Sequence, residues 1–128
     1  MRIVLVEPDV VLGRIYRLAL AADGHQVVHV GTAQAAIHAT DEQRPDLVLL
    51  ELQLVSHSGI EFLYELRSYN DWQDIPVVVL SHVPWAEFGQ SRELLRDQLG
   101  VVAHHYKPQT SLTMLRRIVA SQPAPAVS

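Results

Sequence analysis

Leu47-Val48-Leu49-Leu50-Glu51 is an apolar run with no polar break that ends on a carboxylate. A strand with one wet face alternates apolar and polar side chains, whereas a strand covered on both faces reads as a continuous apolar run. The same signature recurs at Ile3–Val6, Val27–Val30, Pro76–Leu80 and Val101–Ala103. His29 interrupts the second run, which suits an edge strand. Pro76 is tolerated at the start of the fourth because a first strand residue need not donate to the ladder.

Between these runs lie amphipathic stretches with recognisable stops. Asp9 is placed to cap a helix whose apolar face is Val11, Ile15, Leu18 and Ala22, and Asp23-Gly24 ends it. Thr32 caps an alanine-rich helix that halts before Arg44-Pro45. Ser58-Gly59-Ile60-Glu61 matches a capping box, ahead of Phe62, Leu63, Leu66 and Tyr69 as a buried side. The fourth helix is clearest from Ser91 to Leu99, and Thr110 opens a fifth with Leu112, Leu115 and Val119 on one face. Five strand–helix units in sequence predict a doubly wound α/β fold around a parallel sheet with right-handed crossovers. Residues 1–121 form the domain, and 122–128, rich in proline and alanine, read as a tail or the start of a linker.

Composition narrows the function. No apolar run approaches the roughly 20 residues of a bilayer span, and no basic-then-apolar leader opens the chain, so a cytoplasmic module is expected. With no cysteine there is no disulfide, thiolate nucleophile or Cys-type zinc site. A net charge of −4 disfavours direct nucleic-acid binding, and Arg116-Arg117 alone make too small a basic footprint. Neither a G-x-G-x-x-G nor a P-loop pattern occurs.

Ligands of doubly wound sheets bind beyond the carboxyl ends of the strands. Those ends carry Glu7-Pro8-Asp9, Glu51, Ser81 and, through His104-His105-Tyr106, Lys107. Lys107 is the only lysine in the chain, which points to a need for a compact point charge at that rim.

These residues carry a resemblance. Ile3-Val4-Leu5-Val6-Glu7, Pro45-Asp46-Leu47-Val48-Leu49-Leu50-Glu51, Gly59, Ile75-Pro76-Val77-Val78-Val79-Leu80-Ser81 and Tyr106-Lys107-Pro108, in that order, resemble the receiver domains of two-component response regulators. The resemblance implies a flavodoxin-like, five-stranded parallel sheet in the order 2-1-3-4-5 with helices on both faces. It also implies an aspartate at the end of the third strand that is phosphorylated with Mg²⁺. In this chain the acceptor position is Glu51, and the paired acids after the first strand fall on Glu7 and Pro8. The hydroxyl and lysine positions are Ser81 and Lys107, and the aromatic switch position holds His104. The loop proline after the acceptor is Val55, and the acid before the loop glycine is Ser58.

Pro8 offers no side-chain oxygen, so Mg²⁺ binding is expected to be weakened, with Glu7 and Glu51 as the remaining candidate ligands. Asp9 is better used as a helix cap. Glu51 carries its carboxylate roughly 1.5 Å further than aspartate, and a misplacement near 1 Å costs an oriented reaction about a hundredfold. The expectation drawn here is a pseudo-receiver: a degenerate acceptor site, no enzyme activity, and a phosphorylation-independent signalling role. A Glu51–Lys107 ion pair would fix one switch state. With Glu7, Asp9 and Glu51 facing one lysine, one carboxylate pKa is expected to rise and the rim to be loose. Two alternatives stand beside it: a working phosphoacceptor in a phosphorelay, and a metal or small-molecule sensor at the acidic rim.

The expected partner is a protein (a kinase, an output domain or a second copy), with a homodimer through the face of the fourth helix, fifth strand and fifth helix. Trp85, Phe88 and Tyr106 cluster near that face, and the stretch from His82 to Gln98 is longer than the resemblance implies. His104 and His105 are adjacent on a strand and point to opposite faces, so they cannot share a metal. Ser56-His57-Ser58-Gly59 lacks the leading glycine of a nucleophile elbow.

Overall fold

The computed structural model describes residues 1–55 and 58–123. A parallel sheet runs through β1 (Arg2–Val6), β2 (Gln26–Val30), β3 (Leu47–Leu50), β4 (Val77–Ser81) and β5 (Val101–Tyr106), in the order β2-β1-β3-β4-β5. The helices are α1 (Val10–Ala22), α2 (Ala33–Glu42), α3 (Gly59–Ser68), α4 (Ser91–Glu93) and α5 (Leu112–Ala120). α4 continues as a π-helical stretch, Leu94–Gln98, and a 3₁₀ turn, Trp85–Phe88, precedes it.

Strand parity divides the core in two. Val4, Val6, Val48, Leu50, Val77 and Val79 face α2, α3 and the α4 segment, where Phe62, Leu63, Leu66 and Leu95 pack. The alternate residues Ile3, Leu5, Leu47, Leu49, Val78 and Leu80 face α1 and α5, meeting Tyr16, Leu20, Leu115 and Val119. This two-sided burial is why the strands lack alternation. β2 sits at the edge, as its interrupting histidine foretold.

The helix caps follow the short polar side chains. Asp9, Thr32 and Ser58 accept from the backbone N–H three residues on, at 3.0, 3.1 and 3.1 Å. α5 is capped by Ser111, accepting from Met114 N at 3.1 Å, whereas Thr110 donates to the Tyr106 carbonyl at 2.8 Å. The cap is therefore one residue later than the sequence reading placed it, and Leu112 is exposed.

The buried face of α1 also differs from expectation. Gly13, Tyr16 and Leu20 are buried, while Val11, Ile15 and Leu18 are exposed. The cause is steric: Gly13 lies against the His29 ring, and a Cβ there would come within 2.0 Å of Nε2. Only the face that carries the glycine can approach β2 this closely. Tyr69, assigned to the buried side of α3, is exposed at the helix end, with its ring 4.5 Å from that of Trp72. A bulge between Val77 and Val78 shifts the β4–β5 register, and Val102 projects outward. His57 and residues 124–128 of the tail lie outside the described residues.

Candidate functional site

The carboxyl ends of β1, β3, β4 and β5 bring Glu7, Glu51, Ser81 and Lys107 together at one rim. Glu7, Glu51 and Ser81 are buried, at 3, 2 and 0 % exposure. Lys107 Nζ lies between the carboxylates, 2.5 Å from Glu7 Oε1 and 2.9 Å from Glu51 Oε1. The ion pair expected between Glu51 and Lys107 is present, and it is shared with Glu7.

Asp9 does not join this group. It is exposed, and its carboxylate caps α1, while its backbone N–H donates to Glu7 Oε2 at 3.1 Å. Glu51 Oε2 accepts from Gln53 N at 3.2 Å. Glu51 Oε1 accepts from His82 N at 3.2 Å and lies 2.6 Å from His82 Nδ1. Because a carboxylate only accepts, the proton belongs on Nδ1. The Ser81 hydroxyl accepts from Val83 N at 3.2 Å and so stiffens the same turn.

These donors reverse the expected electrostatics. Burial pushes the Glu51 carboxyl up, but the hydrogen bonds of Ser81, Lys107 and Gln53 outweigh it and hold the pKa at about 2. Burial likewise lowers the Lys107 pKa, and the two carboxylates more than reverse that, raising it above its ordinary value. The rise expected of one rim carboxylate is not found at Glu51, which shifts the other way. Like charge alone misjudged a site where an ammonium and peptide N–H groups favour the ionised form.

The residues present do not fit the Mg²⁺ that the resemblance implied. All four oxygens of Glu7 and Glu51 already accept from protein donors, and Pro8 supplies none. Among the described residues no group of three or more His, Cys, Asp or Glu is disposed to hold a metal ion. Lys107 occupies the place between the acids that a cation would need.

His104 is half-buried, its ring 4.7 Å from Trp85 and 5.9 Å from Phe88. Burial lowers its pKa, so the ring is neutral at pH 7. The aromatic cluster by the fourth loop is thus Trp85, Phe88 and His104, with His104 in the place expected of Tyr106. Sequence reasoning missed His82. The signal was its place one residue past Ser81, on the same exit from β4 toward the rim. It also missed the use of His29, whose Nε2 lies 2.8 Å from the Glu7 carbonyl and steadies the β1–α1 turn.

A family model described as the response regulator receiver domain matches residues 3–118. The chain belongs to that family. It is 37 % identical over 79 residues to the KDP operon transcriptional regulatory protein KdpE of Escherichia coli, covering 62 % of this chain and 34 % of that one. It spans about a third of the length of the first curated relatives it matches. The BeF3-activated N-terminal receiver domain of Klebsiella pneumoniae RstA superposes with a TM-score of 0.75 at 25 % identity, covering 94 % of this chain and 97 % of that one. The non-phosphorylated HemR receiver domain of Leptospira biflexa gives 0.78 at 26 %, covering 98 % of each.

Membership places this receiver among regulatory modules rather than enzymes. It also corrects the phosphorylation-independent reading. The chain is kin to regulators of the two-component class, among them receivers characterised by their activation or phosphorylation state. No helix among the described residues is long and apolar enough to cross a membrane.

Proposed function

We propose that this chain is the phosphoryl-accepting receiver of a cytoplasmic two-component response regulator, with Glu51 as the accepting carboxylate. The observation that supports this reading is the placement of Glu51 at the carboxyl end of the central strand β3, against Lys107 and beside the buried Ser81. A Glu51 oxygen attacks the phosphorus of a phosphohistidine or a small phosphodonor. The donor's P–N bond breaks, and the leaving nitrogen takes the electron pair and a proton. Phosphoryl transfer depends mainly on positioning and charge compensation. Here the Lys107 ammonium and the peptide N–H groups of Gln53 and His82 are the donors within reach.

Glu51 exchanges its ion pair for an acyl phosphate, which carries more negative charge and more acceptor oxygens than the carboxylate it replaces. That draws Lys107 and Ser81 toward the new group and pulls on the turn from Ser81 to Val83. Trp85 and Phe88 follow directly and pack on His104 of β5, so the change reaches the face of α4, β5 and α5. That face serves an output domain or a second copy, and a histidine kinase is the donor.

The test is intact mass after incubation with phosphoramidate, with and without Mg²⁺. Gain of one phosphoryl group that Glu51→Gln abolishes is the expected result, with equal yield in both conditions. No gain, or an unchanged gain in Glu51→Gln, overturns the assignment.

A further inference from the structure

One contact at the rim has no part in the transfer described above. His82 Nδ1 is 2.6 Å from Glu51 Oε1, and its peptide N–H is 3.2 Å from the same oxygen. With Lys107 Nζ at 2.9 Å, that oxygen has three partners, and Gln53 N occupies the other. An oxygen whose lone pairs are engaged by donors is a poor nucleophile until one of them leaves. Lys107 is also held by Glu7, and the peptide groups are fixed by the chain. The Ser81 hydroxyl, which also bonds to Glu51, is fully buried, so the His82 ring is the one partner that can turn out to solvent: its side chain is 54 % exposed, on the loop after β4, while the Glu51 side chain is 1 % exposed. Turning the ring outward breaks one hydrogen bond and uncovers no apolar core.

We propose that His82 is a positioning residue that shuts Glu51 against electrophiles, phosphoryl donors among them, and sets the loading rate by swinging out. The part concerning loading rests on the acceptor role of Glu51; the closure itself does not. The ring opens, Oε1 attacks phosphorus, the P–N bond of the donor breaks, and the amine leaves with the electron pair and a proton from water. The His82 peptide N–H stays in place to donate to the new phosphoryl oxygens.

The full chain and its His82→Ala and His82→Asn variants test this with two electrophiles. Asn places an amide N–H close to where Nδ1 stood, so it restores the contact that Ala removes. With phosphoramidate, His82→Ala gains its phosphoryl group on the order of tenfold faster, the weight of one hydrogen bond to a charged acceptor, and His82→Asn returns toward wild type. With a water-soluble carbodiimide and glycine ethyl ester, labelling of Glu51 read by peptide mass follows the same order. Equal rates in all three proteins, or slower loading in His82→Ala, overturn the proposal. If none takes a phosphoryl group, the acceptor reading has failed and the carbodiimide series decides the closure alone: faster labelling in Ala and rescue in Asn support it, and equal labelling refutes it.

Discussion

Replacing Lys107 with methionine keeps the length of the side chain and removes its charge. In the wild type one ammonium lies 2.5 Å from Glu7 and 2.9 Å from Glu51, both carboxylates being almost fully buried. Taking it away leaves two acids within reach of one another and desolvated, with only peptide and imidazole donors. Removing one partner of a buried pair costs about 3–5 kcal/mol. For a domain of this size about 1 kcal/mol moves Tm by roughly 4 °C, so the loss is roughly 12–20 °C at pH 7.5. The pH dependence carries the sharper signature. In the wild type the Glu51 pKa is depressed, so its stabilising contribution is present above the unfolded value and lost as pH falls toward about 2. In Lys107→Met the opposing donors are too few, and burial with like charge raises a carboxylate pKa above its unfolded value. The folded state then binds more protons than the unfolded one, and stability rises as pH falls from 7.5 to 5. Thermal unfolding followed by circular dichroism at several pH values measures both effects. A Tm within about 2 °C of wild type at pH 7.5 would show that the rim tolerates its acids unpaired. A deficit that is the same at pH 5 as at pH 7.5 would refute the electrostatic origin.

Other consequences are open to the same measurements. With the Glu51 pKa held at about 2 against an ordinary value of 4.5, acidification from pH 5 to pH 2 removes about 3 kcal/mol that Glu51→Gln does not lose; denaturant titrations of the two proteins should converge in acid, and parallel curves would count against the shift. Ile15→Glu should leave stability within about 0.5 kcal/mol of wild type, because Ile15 faces solvent on α1; a loss above about 2 kcal/mol would restore the face first read from the sequence.

The architecture was legible because burial on both faces leaves an unmistakable pattern. Each of the five runs became a strand, and the one broken by His29 became an edge. The face of α1 was not legible, since Val11, Ile15 and Leu18 have the helical spacing of a buried stripe and are exposed. What decides the face is the fit of Gly13 under the His29 ring, a contact across 16 residues that periodicity does not encode. The rim's membership was readable from the strand ends, because parallel strands deliver their last residues to one edge. Its electrostatics were not. Counting formal charges set Asp9 against the lysine, although its role as the cap of α1 was read correctly, and left out the donors: three backbone N–H groups turn inward on the carboxylates.

The longer acid and the histidine belong to one arrangement. Oε1 sits 2.6 Å from His82 Nδ1, a strong hydrogen bond to a charged acceptor. Drawn back along the same line by one carbon, roughly 1.5 Å, the oxygen would stand about 4 Å away and make no bond. The His82 ring can turn outward about its own side-chain bonds, but its backbone follows directly on β4 and is bonded to the same carboxylate, so the ring cannot advance to follow such a retreat. The closure of the acceptor by His82 therefore depends on the extra methylene of Glu51. Reach that is a liability for orienting a transfer is, at this rim, what allows the acceptor to be held shut from the loop that leads to the output face.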